Sequence, residues 1–144
     1  MKVFLSPSDQ WSNIVATGNH SEAKHCIEIA KSCEKYLKLN GVDVKIGDSY
    51  TEGSYPERVK VSNDWKADLH IPIHTNAGGG KGTQVFTYPT TMGNVFVKSI
   101  YTEVANLTPT PDRGITPATN LYEINETVAV CCYIEVEFHD NIVT

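Results

Sequence analysis

The spacing of apolar positions changes several times along this chain, and each change predicts an element. Residues 2–6, KVFLS, form a short apolar block that reads as a first strand, closed by Pro7. From about Ser21 to Leu39 the apolar step becomes three and four. Ala23, Cys26, Ile27, Ala30, Cys33 and Leu37 then share one face, as in a helix laid on a core. Asn19 with Glu22 three residues on has the form of a capping box, and Asn40-Gly41 that of a helix stop. VDVKI, 42–46, predicts a second strand, and 47–55 a polar loop. Pro56 suits the first turn of a short helix over about 56–66. DLHIPI, 68–73, and TQVFTY, 83–88, predict two more strands, with a helix over about 92–106. LTPTPDRGITPATN, 107–120, reads as loop because of its three prolines and one glycine. NLYEI reads as a short extended piece, and AVCCYIEVEF, 129–138, as a last strand apolar enough to be central.

Strands alternating with helices predict one α/β domain over residues 1–144, with a largely parallel or mixed sheet. The chain stops six residues after Phe138, so the expected architecture lacks a helix after the last strand.

Composition narrows the function classes. The 144 residues are 40% hydrophobic and 20% charged, with a formal net charge of -5 and no basic run, which argues against a nucleic-acid partner. No run approaches the roughly 20 apolar residues of a membrane helix. The opening MKVFLSPSDQ is too short in apolar residues for a signal peptide, so the expectation is synthesis in the cytoplasm without one. Cys26, Cys33, Cys131 and Cys132 contain no C-x-x-C pair and read as reduced, buried thiols.

In open α/β sheets, ligands bind beyond the carboxyl ends of the strands. Asp9 and Gln10 follow the first strand there, and His74 and Asn76 the third. Glu135 lies late in the last strand, with Glu137, His139 and Asp140 beyond it. Glu22 opens the first helix on the same side. Carboxylates meeting a histidine in one cleft is metal-site chemistry of the nitrogen-and-oxygen kind. Glu135, set among CCYI and V, is shielded and needs a partner, either a cation or an arginine such as Arg58 or Arg113. His20, His25 and His70 read as bystanders, with His70 reaching a surface.

Several pieces in order, SEAKHCIEIAKSCEKYLKLNGVDV, RVKVSNDWKADLHIPIHTNAGGGKGTQVF, DRGI, NLYEIN and VAVCCYIEVEFHDN, resemble the zinc-dependent N-acetylmuramoyl-L-alanine amidases of the amidase-3 type. The likeness is strongest to those of bacteriophage endolysins and clostridial wall-lytic enzymes, and it covers nearly the whole chain. It implies a twisted, mostly parallel sheet flanked by helices, and hydrolysis of the amide joining N-acetylmuramic acid to L-alanine in peptidoglycan. It also implies Zn2+ held by Glu22 and His74, catalysis by Glu135, and a site shaped by Asn76. The family's first strand usually leads into Pro-Gly-His, whose histidine is a zinc ligand. Here the residues are Pro7, Ser8 and Asp9, so Asp9 is the expected third ligand, with Gln10 and His25 as the other candidates.

The glycines at 78–80, Gly79 and Gly80 foremost, are expected to leave room for a bulky polymer over the metal, and Gly82 to turn the chain into the next strand. The enzyme would then act on the bacterial wall without inserting in a membrane, and the sequence leaves its oligomeric state open. Two other classes compete with this reading: a wall-binding module with a weakened site, and a metallopeptidase acting on stem peptides.

Overall fold

The computed structural model describes residues 1–47, 51–109 and 111–141. Part of the polar loop predicted over 47–55, and the chain end on which a missing last helix was inferred, lie outside the described residues.

Seven strands form one sheet: β1 (Lys2–Pro7), β2 (Asp43–Ile46), β3 (Leu69–Asn76), β4 (Gln84–Thr87), β5 (Gly114–Pro117), β6 (Val130–Cys131) and β7 (Tyr133–Phe138). The order is β2-β1-β3-β7-β4-β5, with β6 continuing beside β3. Every pairing is parallel except β4 with β7. The expected mostly parallel α/β sheet is therefore present, with β3 and β7 at its centre. Four helices, α1 (Glu22–Leu39), α2 (Tyr55–Asp64), α3 (Val95–Leu107) and α4 (Tyr122–Glu126), flank it.

Side chains alternate between sheet faces, and the two faces differ in chemistry. One is apolar. Val3, Leu5, Leu69, Ile73, Cys132 and Ile134 meet Cys26 and Ala30 of α1 and Val97 of α3 in the main core. Fully burying each large aliphatic side chain there contributes about 1.5–3 kcal/mol. On the other face Ser6 and His70 meet α2 and α4 through polar contacts.

The first helix starts two residues later than a capping box at Asn19 predicts. Ser21 is the N-cap, its hydroxyl accepting from the Lys24 N–H at 3.2 Å. Asn40 caps the other end and Gly41 follows at φ 74°, as the stop signal predicts. Three expectations are corrected. The proline-rich 107–120 segment contains β5, because Gln84–Thr87 offers it a parallel edge in full register and Pro117 falls at its last position. NLYEI is not extended: α4 begins at Tyr122. The last strand is two strands, broken at Cys132, whose N–H donates to the His70 carbonyl at 2.9 Å.

Candidate active site

The third strand runs on past the predicted DLHIPI to Asn76, and this places His74 within the sheet instead of on a loop. On the neighbouring parallel strand Glu135 is its direct register partner, so both side chains leave the same face. Just beyond, the register slips between His74 and Asn76, a bulge of the kind found beside active sites.

Glu22 comes to the same spot from the first turn of α1. Its side chain is 1% exposed, and Oε1 lies 3.0 Å from His74 Nδ1. Oε2 accepts from the Asn13 amide at 2.9 Å, and that amide also donates to Gln10 at 2.7 Å. Burial pushes the Glu22 carboxyl pKa upward. Hydrogen bonds from His74, Asn13 and Ser8, with the charge on His74, outweigh it and leave the pKa below its ordinary value. The His74 ring is fixed from its other side by Tyr133, stacked at 4.5 Å and 15°. Sequence reasoning missed Tyr133, although its position two residues before Glu135 on β7 gives it the same face.

Glu135 has a different environment. Its Oε2 is buried and has no hydrogen-bond partner. Burial raises its pKa to about 7, against a lowering by the His74 charge, with Glu22 adding to the rise. A carboxyl poised near neutrality beside a histidine is suited to moving a proton. The expected arginine partners are elsewhere. Arg58 pairs with Asp9 and Glu123, and Arg113 hydrogen-bonds Gln84 and lies over the Phe138 ring.

Two donors sharing a zinc ion tetrahedrally at about 2.0–2.1 Å stand about 3.3 Å apart. The 3.0 Å between Glu22 Oε1 and His74 Nδ1 is close to that, and Glu135 Oε2 on the neighbouring strand is buried without a hydrogen-bond partner. The pair fits a borderline cation. The structure does not bring Asp9 into the set. Its Oδ2 accepts from Arg58 Nη1 at 3.1 Å and from the Ser54 N–H at 2.8 Å. Among the described residues, no third His, Cys, Asp or Glu joins Glu22 and His74 with all donor atoms within 4.8 Å. Gln10 is engaged by Asn13, and His25 lies on the exposed side of α1.

Asp9 belongs instead to a buried polar network. Arg58, 2% exposed, donates through Nε to Ser6 at 2.8 Å and lies 3.4 Å from Glu123 Oε1. Glu123 Oε2 meets His70 Nε2 at 2.8 Å, and His70 Nδ1 meets the Ser62 hydroxyl at 2.9 Å. His70 is therefore no surface residue: it is fully buried and stacked on Phe4 at 5.2 Å. This network forms one wall of a cleft of about 500 Å³ lined also by His74, Tyr133, Tyr55 and Tyr122.

The glycine loop lies beside His74 but is organised by packing. The Gly78 and Gly79 N–H groups both donate to Asp140 Oδ2, at 2.6 and 2.9 Å. Gly80 faces the Phe138 ring so closely that an added Cβ would stand 2.4 Å from it. Gly82, at φ +102°, turns the chain into β4 as expected. Asn76 turns its Oδ1 back to the Ala77 N–H at 2.8 Å.

Comparison with known proteins places the chain in a family and agrees with its fold. The family model described as N-acetylmuramoyl-L-alanine amidase matches residues 9–143. A sporulation-specific N-acetylmuramoyl-L-alanine amidase of Bacillus subtilis is 29% identical over 99% of this chain and 58% of its own length. The amidase CwlM of Bacillus licheniformis is 28% identical over 98% of this chain and 58% of its own. The chain thus spans 58% of each of these curated relatives. Among solved structures, the catalytic domain of CwlV from Bacillus (Paenibacillus) polymyxa superposes with a TM-score of 0.85 at 23% identity, covering 97% of this chain and 82% of that one. The catalytic domain of the CD27L endolysin gives 0.73 at 23% identity, covering 98% and 83%.

Proposed function

The chain belongs to the N-acetylmuramoyl-L-alanine amidase family Amidase_3, and from that premise we propose that it hydrolyses the amide between N-acetylmuramic acid and the L-alanine of the peptidoglycan stem. The observation that carries the reading is Glu135, with its unpartnered Oε2, set in register beside the Glu22–His74 donor pair. Glu22 and His74 are the residues that would hold zinc. The ion would supply a Lewis acid and a water acidified toward neutrality.

The remaining work falls to the chain. Tyr133 and Asn13 fix the orientations of His74 and Glu22. Glu135 takes the proton of the attacking water as its oxygen bonds to the lactyl carbonyl carbon. It then passes that proton to the departing L-alanine nitrogen as the C–N bond breaks. The neighbouring cleft of about 500 Å³, with its tyrosines, gives the stem peptide a surface to lie on.

The test is digestion of purified peptidoglycan by the zinc-loaded protein, followed by identification of the new ends. New L-alanine amino termini without new reducing sugars are expected. Other amino termini would make it a metallopeptidase, and no new termini a wall-binding module.

A further inference from the structure

We propose a second cation site, formed by His20, His25 and Glu28, that takes a first-row divalent ion of the zinc type. Among the described residues these are the one group of three or more His, Cys, Asp or Glu whose donor atoms all lie within 4.8 Å of one another. His25 and Glu28 are exposed on α1 whereas Glu22 and His74 are buried, and none of His20, His25 and Glu28 takes part in the proposed hydrolysis.

The site is built from a fixed loop and a helix face. His20 immediately precedes the N-cap Ser21, and its carbonyl accepts from the Val15 N–H at 2.9 Å. An isolated bridge between Ile14 and Ser21 closes the same loop. His25 and Glu28 are three residues apart on α1, so they are neighbours along its surface. The two imidazoles meet edge to face at 5.4 Å and 84°. His20 Nε2 lies 3.6 Å from Glu28 Oε2, near the roughly 3.3 Å separation of two donors on one tetrahedral ion.

His20 Nε2 carries the second, independent observation: it is shielded from solvent and has no hydrogen-bond partner. Buried polar atoms are nearly always satisfied, and this one points at a carboxylate too far away for a hydrogen bond. A cation between them satisfies both. Two imidazoles and one carboxylate are the donor types that suit zinc, and copper(II) more tightly still. The adjoining cavity, which His139 also lines, leaves a further coordination position for solvent.

Such an ion would tie the 14–21 loop to α1. The segment just before it carries Asn13, which holds Glu22 Oε2. Occupancy at the surface would therefore stiffen the support of the central donor pair.

The test uses tag-free, chelator-stripped protein titrated with Zn2+ and Co2+, reading stoichiometry and the cobalt visible bands. With Glu22→Gln and His74→Ala in place, one equivalent should still bind. Adding His25→Ala with Glu28→Gln should weaken that binding at least tenfold. No binding in the first background, or binding unmoved by the second pair, overturns the site. If the first background does not fold, the wild type is compared with His25→Ala/Glu28→Gln alone, whose changes are on the exposed face of α1. The equivalents bound should fall by one, and the zinc-induced rise in melting temperature should shrink. An unchanged count overturns the site.

Discussion

Arg58 Nη1 lies 3.1 Å from Asp9 Oδ2, and both residues are buried, at 2% and 5% exposure. A second buried carboxylate, Glu123, lies 3.4 Å from the other guanidinium nitrogen. Removing one partner of a buried pair leaves an uncompensated charge, which typically costs about 3–5 kcal/mol. Arg58→Met should therefore destabilise the fold by about that much in urea denaturation at pH 7. A loss below 1 kcal/mol would show that Asp9 and Glu123 are satisfied without the guanidinium.

Glu135→Gln should keep the fold and the metal while lowering turnover of peptidoglycan by about 10²–10⁴-fold, the usual worth of a positioned general acid–base. Parental turnover in that variant would remove Glu135 from the chemistry.

The same carboxyl sets a pH dependence with a definite sign. Its folded pKa of about 7 stands above the ordinary 4.5, so the folded state holds a proton that the unfolded chain releases. Its stabilising share is whole below about pH 4.5 and is lost as pH rises to about 7. In the metal-free protein Glu135→Gln should then be more stable than the parent above pH 7, by about 3 kcal/mol. With zinc bound, the cation pulls this carboxyl below its metal-free value, so turnover should rise on an acid limb centred below pH 7, as Glu135 becomes able to accept a proton. Equal stability of the two proteins at pH 8 would contradict the buried charge.

His74→Ala and Glu22→Gln should each abolish zinc-dependent hydrolysis. Chelation of the parent should do the same, reversed by added Zn2+. Activity that survives exhaustive chelation would rule out the donor-pair assignment.

Gly80→Ala tests a steric claim, since the new methyl would stand 2.4 Å from the Phe138 ring. Overpacking of this kind costs about 1–3 kcal/mol. A melting temperature equal to the parent's would mean that the ring moves freely.

Much of the frame was legible because its signals are local. The three-and-four spacing from Ala23 to Leu37 and the stop at Asn40-Gly41 marked α1 almost to the residue. Glu22, His74 and Glu135 stood out as chemistry-bearing residues at strand and helix ends, and the structure brings them together. What escaped is non-local. Arg58 lies 49 residues from Asp9 and 65 from Glu123, and nothing in the spacing announces those pairings. His70 looked like a surface histidine because it alternates with Leu69 and Ile71, but the face it takes is covered by α2 and α4, where Ser62 and Glu123 hold its ring. The strand at 114–117 was hidden by prolines that its edge position tolerates.

His74 and Glu135 are rungs of one hydrogen-bonded ladder, direct partners on β3 and β7. Their separation is thus set by the spacing of backbone strands, about 4.8 Å, and owes nothing to the surrounding loops. Chemistry and recognition are separable modules in such an arrangement. Grafting a relative's segment between β5 and α4 should shift KM and wall preference while kcat holds. A matching collapse of kcat would show that the loops set the reacting geometry after all.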